Sequence, residues 1–352
     1  MRKLNNSATH PTQLCYFFLV TSEYKNPKRL LYADALRIIA AFSVVFQHTA
    51  SSAWYSLSPS SDSWFCLNFF NGIARFGVGI FVMISGAFLL TPSTKRTPQN
   101  ILKKNLVHLL KLIIFWGIFY GIFQTFFQHG TLKDYLLSPL LIFTKPQTHL
   151  WFLYMLAGLY LFTPALIIFT KNASEKMLRF TLFSLAIFGM VIPSISHLTE
   201  RLLNIEIYKH LAIQGTTSFL VYYLAGFYFS KFTIQKRTRI LLYISSLFSL
   251  GISILGSTYL SLLRNVPDEY FFGNFRPTNL IIVLAIFVFF KAHFQDKVVE
   301  NKFVTTLAVA TLGIYIIHPV FLKLFYGLKF SLISPTPWLN VPIAALFIFI
   351  LS

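Results

Sequence analysis

"ADALRIIAAFSVVFQHTA", residues 33–50, has the length and apolar content of a membrane-spanning helix, yet it carries two side chains foreign to lipid, Arg37 and His48. Eleven residues at about 100° each bring a helix round three turns plus roughly 20°, so the two fall on one face. At about 1.5 Å per residue they stand roughly 16 Å apart along the axis. A charge in the bilayer core costs about 2.5–3.5 kcal/mol on insertion scales, tolerable for Arg37 only if it snorkels or faces a wet interior. The shared face is therefore expected to line a cavity. Each residue alone also admits an ordinary reading, Arg37 as a snorkelling anchor partnered by Asp34 and His48 as a satisfied interhelical hydrogen-bonder.

The surrounding sequence has the composition of a membrane protein. Of its 352 residues 55% are hydrophobic and 12% charged, with a mean hydropathy of +0.64, which excludes a water-soluble domain. Runs of roughly 20 mainly apolar residues mark spans, expected near 33–53, 69–91, 105–127, 149–170, 180–198, 213–230, 240–260, 277–293 and 304–326. A tenth begins near 338, and its "WLNVPIAALFIFILS" is short for a full crossing, so it is read as truncated, tilted or incomplete. The expected fold is all-α, a polytopic bundle of about ten transmembrane helices.

The net charge of +19 would suggest nucleic acid in a soluble protein. Here the basic residues lie between the spans and concentrate in alternate loops. With a cytosolic N-terminus the inner segments hold Lys25, Lys28 and Arg29, then Lys95, Arg96, Lys103 and Lys104, then Lys171, Lys176 and Arg179, then Lys231 to Arg239, then Lys291 to Lys302. Topology and anionic lipid headgroups account for this charge, and nucleic acid is not needed. Residues 1–30 are read as a cytosolic tail, because "CYFFLV" at 15–20 is too short to span and lacks a cleavage site, and 31–352 as one membrane domain. Cys15 and Cys66 have no second ligand at metal-like spacing, so neither a disulfide framework nor a metal site is expected.

Other polar residues interrupt apolar runs. Arg75 sits at the outer end of the second span, ahead of Gly77, Gly79 and Gly86, which suit close helix contact. "HLWFLYMLAGLYLFTP", 149–164, opens a span with His149, Trp151 and Tyr154, whose aromatic members fit an interfacial belt. His318 lies deep in the ninth span beside Pro319, which is expected to break or bend that helix.

Four stretches in this order, "DALRIIAAFSVVFQH", "RFGVGIFVMISGAFLL", "HLWFLYMLAGLYLFTP" and "TLGIYIIHP", resemble acyltransferase family 3, bacterial membrane O-acyltransferases that modify surface polysaccharides and some small molecules. The likeness runs from about residue 30 to the end and is nearest the branch that includes the O-acetyltransferase of enterobacterial common antigen. It implies about ten helices in the bacterial cytoplasmic (inner) membrane, acetyl-CoA on the cytosolic side as acyl donor, and as acceptor a hydroxyl of a surface glycan or its lipid-linked precursor. Carried over by position, His48 and Arg37 match the family's essential histidine and arginine, and Arg75, Trp151 and His318 match recurring positions, here assigned to the substrate. Where family members carry two arginines three apart, this chain has Asn105 and His108 after Lys103 and Lys104, so the cofactor contact passes to Lys103, Lys104 and His108.

In that chemistry His48 deprotonates the acceptor or itself relays the acyl group, while Arg37 attracts the cofactor's phosphates or holds the helix register. A transporter or flippase for a lipid-linked glycan, with Arg37 and His48 as substrate or proton-relay residues, is the rival reading, opposed by the lack of any repeat pairing between the halves. A catalytically silent relative is the third.

Overall fold

A computed structural model describes residues 29–91, 97–140, 149–203, 216–327 and 336–352. Its main helices are α1 (Leu31–Trp54), α2 (Asp62–Ile73), α3 (Gly77–Leu89), α4 (Val107–Phe127), α5 (Trp151–Asn172), α6 (Glu175–Ala186), α7 (Ile192–Leu203), α8 (Thr216–Lys231), α9 (Lys236–Arg264), α10 (Pro277–Phe294), α11 (Lys302–Gly327) and α12 (Pro337–Leu351). Among the described residues there is no strand, only an isolated bridge between Leu30 and Val298. Residues 1–28 of the expected tail, and Lys95 and Arg96, lie outside the described residues.

Seven helical stretches among these residues are long and apolar enough to cross a membrane: Asp62–Leu89, Pro98–Phe127, Trp151–Asn172, Glu175–Leu203, Lys236–Arg264, Tyr270–Phe294 and Lys302–Phe325. The protein is thus an all-α polytopic bundle. The three remaining expected spans correspond to α1, α8 and α12. α8 has 16 described residues and α12 has 15, fewer than a straight crossing needs. α1 has the length, 24 residues, but Asp34, Arg37, Gln47 and His48 dilute its apolar character.

That dilution decides where α1 sits. It packs against α2, α3, α10, α11 and α12, and Leu36, Ala40, Ala41, Val45, Ala50 and Trp54 are wholly buried. A helix with polar groups is costly in hydrocarbon, and sheathing it in other helices replaces lipid with protein partners. α9 shows the complementary pattern. Its serines at four-residue spacing, Ser249, Ser253, Ser257 and Ser261, are buried, while Ile244, Leu247, Phe248, Ile252, Leu255 and Tyr259 are exposed. Small hydroxyl residues let backbones approach, and bulky apolar ones suit lipid.

The tightest crossing joins α3 and α8. A Cβ added to Gly86 would lie 1.8 Å from the carbonyl oxygen of Tyr223, and one added to Gly226 would lie 1.9 Å from that of Met83. Gly77 likewise abuts α1, where a Cβ would meet Ser43 Oγ at 2.3 Å. Pro319 does not end α11, which runs through it. Proline removes one backbone donor, and two carbonyls of the preceding turn accept from side chains: Ile314 O lies 3.2 Å from His318 Nδ1, and Ile316 O takes the Tyr120 hydroxyl at 2.6 Å.

Gly86→Ala should destabilise the detergent-solubilised protein by at least about 1–3 kcal/mol, the usual range for overpacking, because the obstructing atoms are backbone. Gly158→Ala, where nothing lies within 4 Å of the added carbon, should leave the thermal midpoint unchanged in the same melting experiment.

Candidate active site

Where α1 crosses α11, two imidazoles meet. His48 Nδ1 lies 2.7 Å from His318 Nε2, and the rings stack with centroids 4.9 Å apart. The hydrogen-bond network assigns the tautomers. A carbonyl can only accept, so His318 Nδ1, beside Ile314 O, carries a proton and its Nε2 carries a lone pair. His48 Nδ1 must then donate to it, which leaves the lone pair of His48 on Nε2. His318 is fully buried, whereas His48 keeps part of its surface open. The arrangement is a base whose orientation is fixed by a second ring, itself fixed by a backbone carbonyl.

A third imidazole adjoins the pair. His149, just ahead of α5, is buried, packs edge-on to Tyr120 at 4.5 Å and has its ring centroid 6.3 Å from that of His318. Its carbonyl accepts the Tyr315 hydroxyl at 2.5 Å, and its Nε2 has no partner among the described residues. No group of three or more His, Cys, Asp or Glu among the described residues could hold a metal ion.

The far end of α1, toward Tyr55, is also polar. Gln47 and Ser51 are joined by side-chain contacts, and Ser51 Oγ is 3.3 Å from Asn71 Oδ1. α2 stops at Ile73, and Arg75 lies in the turn Ala74–Phe76 that precedes α3. Its guanidinium lies 5.1 Å over the Phe272 ring and within electrostatic reach of His48, Glu269 and Tyr55. The Tyr55 hydroxyl donates to Glu269 at 2.8 Å. Two of the residues assigned to the substrate, His318 and Arg75, thus gather around His48.

The other assigned residues lie elsewhere. Arg37 bonds Asp34 at 2.8 Å, and Arg29 holds the same buried carboxylate at 2.8 and 2.9 Å. The expected partner Asp34 is present, and one net positive charge remains at this end. Arg37 also lies 5.3 Å over Phe88. Between Arg37 and His48, Ala41 and Val44 are packed shut, which corrects the expectation of one cavity along their common face. Small apolar side chains there fill the helix contacts, so the two polar residues occupy separate sites.

Trp151 is 38% exposed, with ring contacts to Phe219 and Phe152 and not to the histidines. Lys103 and Lys104 are exposed on a π-helical stretch, Ile101–Leu106, and His108 is half-buried just after it. His108 stands about 18 Å along α4 from Tyr120, so this basic group belongs to the Arg37 end. A pocket of about 270 Å³ lies at that end too, lined by Thr91, Thr170, Lys171, Phe227, Ser230 and Lys231.

Sequence reading did not place Asn71, Tyr120 or Tyr315 in the site and treated His149 only as the start of a span. The one available signal was the pair Asn68 and Asn71, two amides three apart in an apolar helix.

Residues 30–352 match the family model described as an acyltransferase domain. No curated protein and no solved structure matches the chain.

The tautomer assignment has a direct chemical test. Diethylpyrocarbonate applied to the protein in nanodiscs, with peptide mapping by mass spectrometry, should modify His48 and leave His318 and His149 unmodified.

Proposed function

The chain belongs to acyltransferase family 3, and from that premise we propose that it is a membrane O-acetyltransferase. It moves acetyl from cytosolic acetyl-CoA to a hydroxyl of a surface polysaccharide or its lipid-linked precursor, in the bacterial inner membrane with the N-terminus cytosolic. The observation that carries this reading is the open lone pair on His48 Nε2, held in place by His318 and Ile314.

A thioester is already activated, so the protein has to orient the two substrates and manage one proton. His48 Nε2 takes the proton of the acceptor hydroxyl as its oxygen attacks the thioester carbonyl. The imidazolium so formed keeps its Nδ1–H on His318 Nε2. His318 holds the position that a carboxylate holds in hydrolytic triads, but as a neutral ring it orients more than it neutralises. When the C–S bond breaks, the thiolate recovers the proton from His48 Nε2–H and leaves as free thiol. The chemistry needs no group beyond the two substrates and this proton.

The basic end suits the donor. Arg37 retains a net charge with its triad, and Lys103, Lys104 and His108 lie at the same end, where a nucleotide's phosphates would be drawn. The acceptor would then approach from the Tyr55 and Glu269 side. The alternation of basic loops supports the orientation, and the likeness to the enterobacterial branch supports acetyl as the group.

Labelled acetyl-CoA and an extracted lipid-linked glycan, supplied to the protein in nanodiscs, test this. His48→Ala should lower turnover by about 10²–10⁴-fold, the usual contribution of a positioned base, with an unchanged melting profile. Glycan movement across the bilayer without ester formation, or full turnover in the variant, would refute the reading.

A further inference from the structure

Two donors near His48 have nothing to donate to. Asn71 is wholly buried and its Nδ2 lacks a partner among the described residues, and the same holds for the buried Nε of Arg75. A buried N–H left without a partner away from water costs about 1–3 kcal/mol, so two such groups within four residues of one another point to a ligand atom.

Their level along α1 can be bracketed. Asn71 meets Ser51, and Gly77 abuts Ala40, Ser43 and Val44. Arg75 lies between these two contacts in sequence, and its charge acts on His48. Arg75 sits in the break at Ala74–Phe76, and irregular backbone within a membrane is tolerated where it is buried or lines a cavity. Phe272 covers the guanidinium face and Tyr55 already engages Glu269, which leaves the Arg75 Nε edge free.

We propose that Asn71 Nδ2–H and Arg75 Nε–H bind the oxygen of the acyl carbonyl as it becomes an oxyanion. The assignment rests on the transferase reading and names the second half of that site. As the acceptor oxygen bonds to the carbonyl carbon and its proton passes to His48, the π electrons move onto the carbonyl oxygen. Two fixed donors, one of them cationic, meet that charge in a dry site where such interactions are strongest. The oxygen's electrons then restore the C=O bond and expel the thiolate, which takes the proton from His48.

Steady-state kinetics separate this role from a structural one. Asn71→Asp keeps the size but removes the donor, and Arg75→Lys keeps the charge but removes Nε–H. Each should lower kcat by about 10²–10³-fold, as for other oxyanion donors, while KM for acetyl-CoA and the melting profile stay within threefold and a few degrees of the wild-type protein. If Arg75→Lys or Asn71→Asp fails to fold, Arg75→Met or Asn71→Leu, which also lack the donor, replaces it in the same assay. Wild-type kcat in these variants, or a loss seen only in KM, would overturn the oxyanion assignment and leave the transferase intact. A wild-type protein that forms no ester would instead overturn the transferase reading itself.

Discussion

A helix that is too polar for lipid has to be enclosed by other helices, and most of this architecture answers that requirement. α1 carries Asp34, Arg37, Gln47 and His48, and five helices surround it. Because α1 is central, its polar side chains meet protein instead of hydrocarbon, and any chemistry they perform takes place inside the bundle. The outer helices meet the opposite demand. α9 presents its serines inward and its large apolar residues outward, the reverse of a soluble amphipathic helix, since in lipid the apolar face is the solvated one.

The meeting of α1 and α11 converts this enclosure into a chemical device. Pro319 removes a backbone donor within α11, and two carbonyls of the preceding turn meet side chains, Ile314 O the His318 ring and Ile316 O the Tyr120 hydroxyl of α4. One of these, His318, is thereby committed to a single tautomer, and its remaining nitrogen dictates the tautomer of His48. A backbone carbonyl in one helix thus sets the proton on a side chain of another. His149, Tyr120 and Tyr315 wall the same volume and hold its backbone in register.

Around that device the two ends of α1 differ in kind. The Arg37 end gathers a shared carboxylate, two arginines and exposed lysines, and suits an anionic donor. The Tyr55 end combines a broken helix, an unpaired amide and an arginine braced on an aromatic ring. The closed packing at Ala41 and Val44 keeps the ends apart along α1 itself. In the proposed reaction the donor's nucleotide stays at the Arg37 end while its thioester reaches His48, and the acceptor comes to the same imidazole from the Tyr55 end.

The sequence by itself determined the all-α class and the order of the apolar helices, the polar oddity of α1 and the pairing of Arg37 with Asp34, and it singled out His48 and His318 as polar residues within spans. These follow from periodicity and transfer cost, which are local and nearly additive along a chain. Only the tertiary structure decided that His48 and His318, 270 residues apart, share a hydrogen bond, that His149 joins them, that Trp151 does not, and that Arg37 has a site of its own. Those outcomes depend on which faces of separate helices meet. That choice is set by packing details such as the bare backbones of Gly86 and Gly226, the turn at Ala74–Phe76 and the proline in α11, whose effects appear only when the helices are assembled.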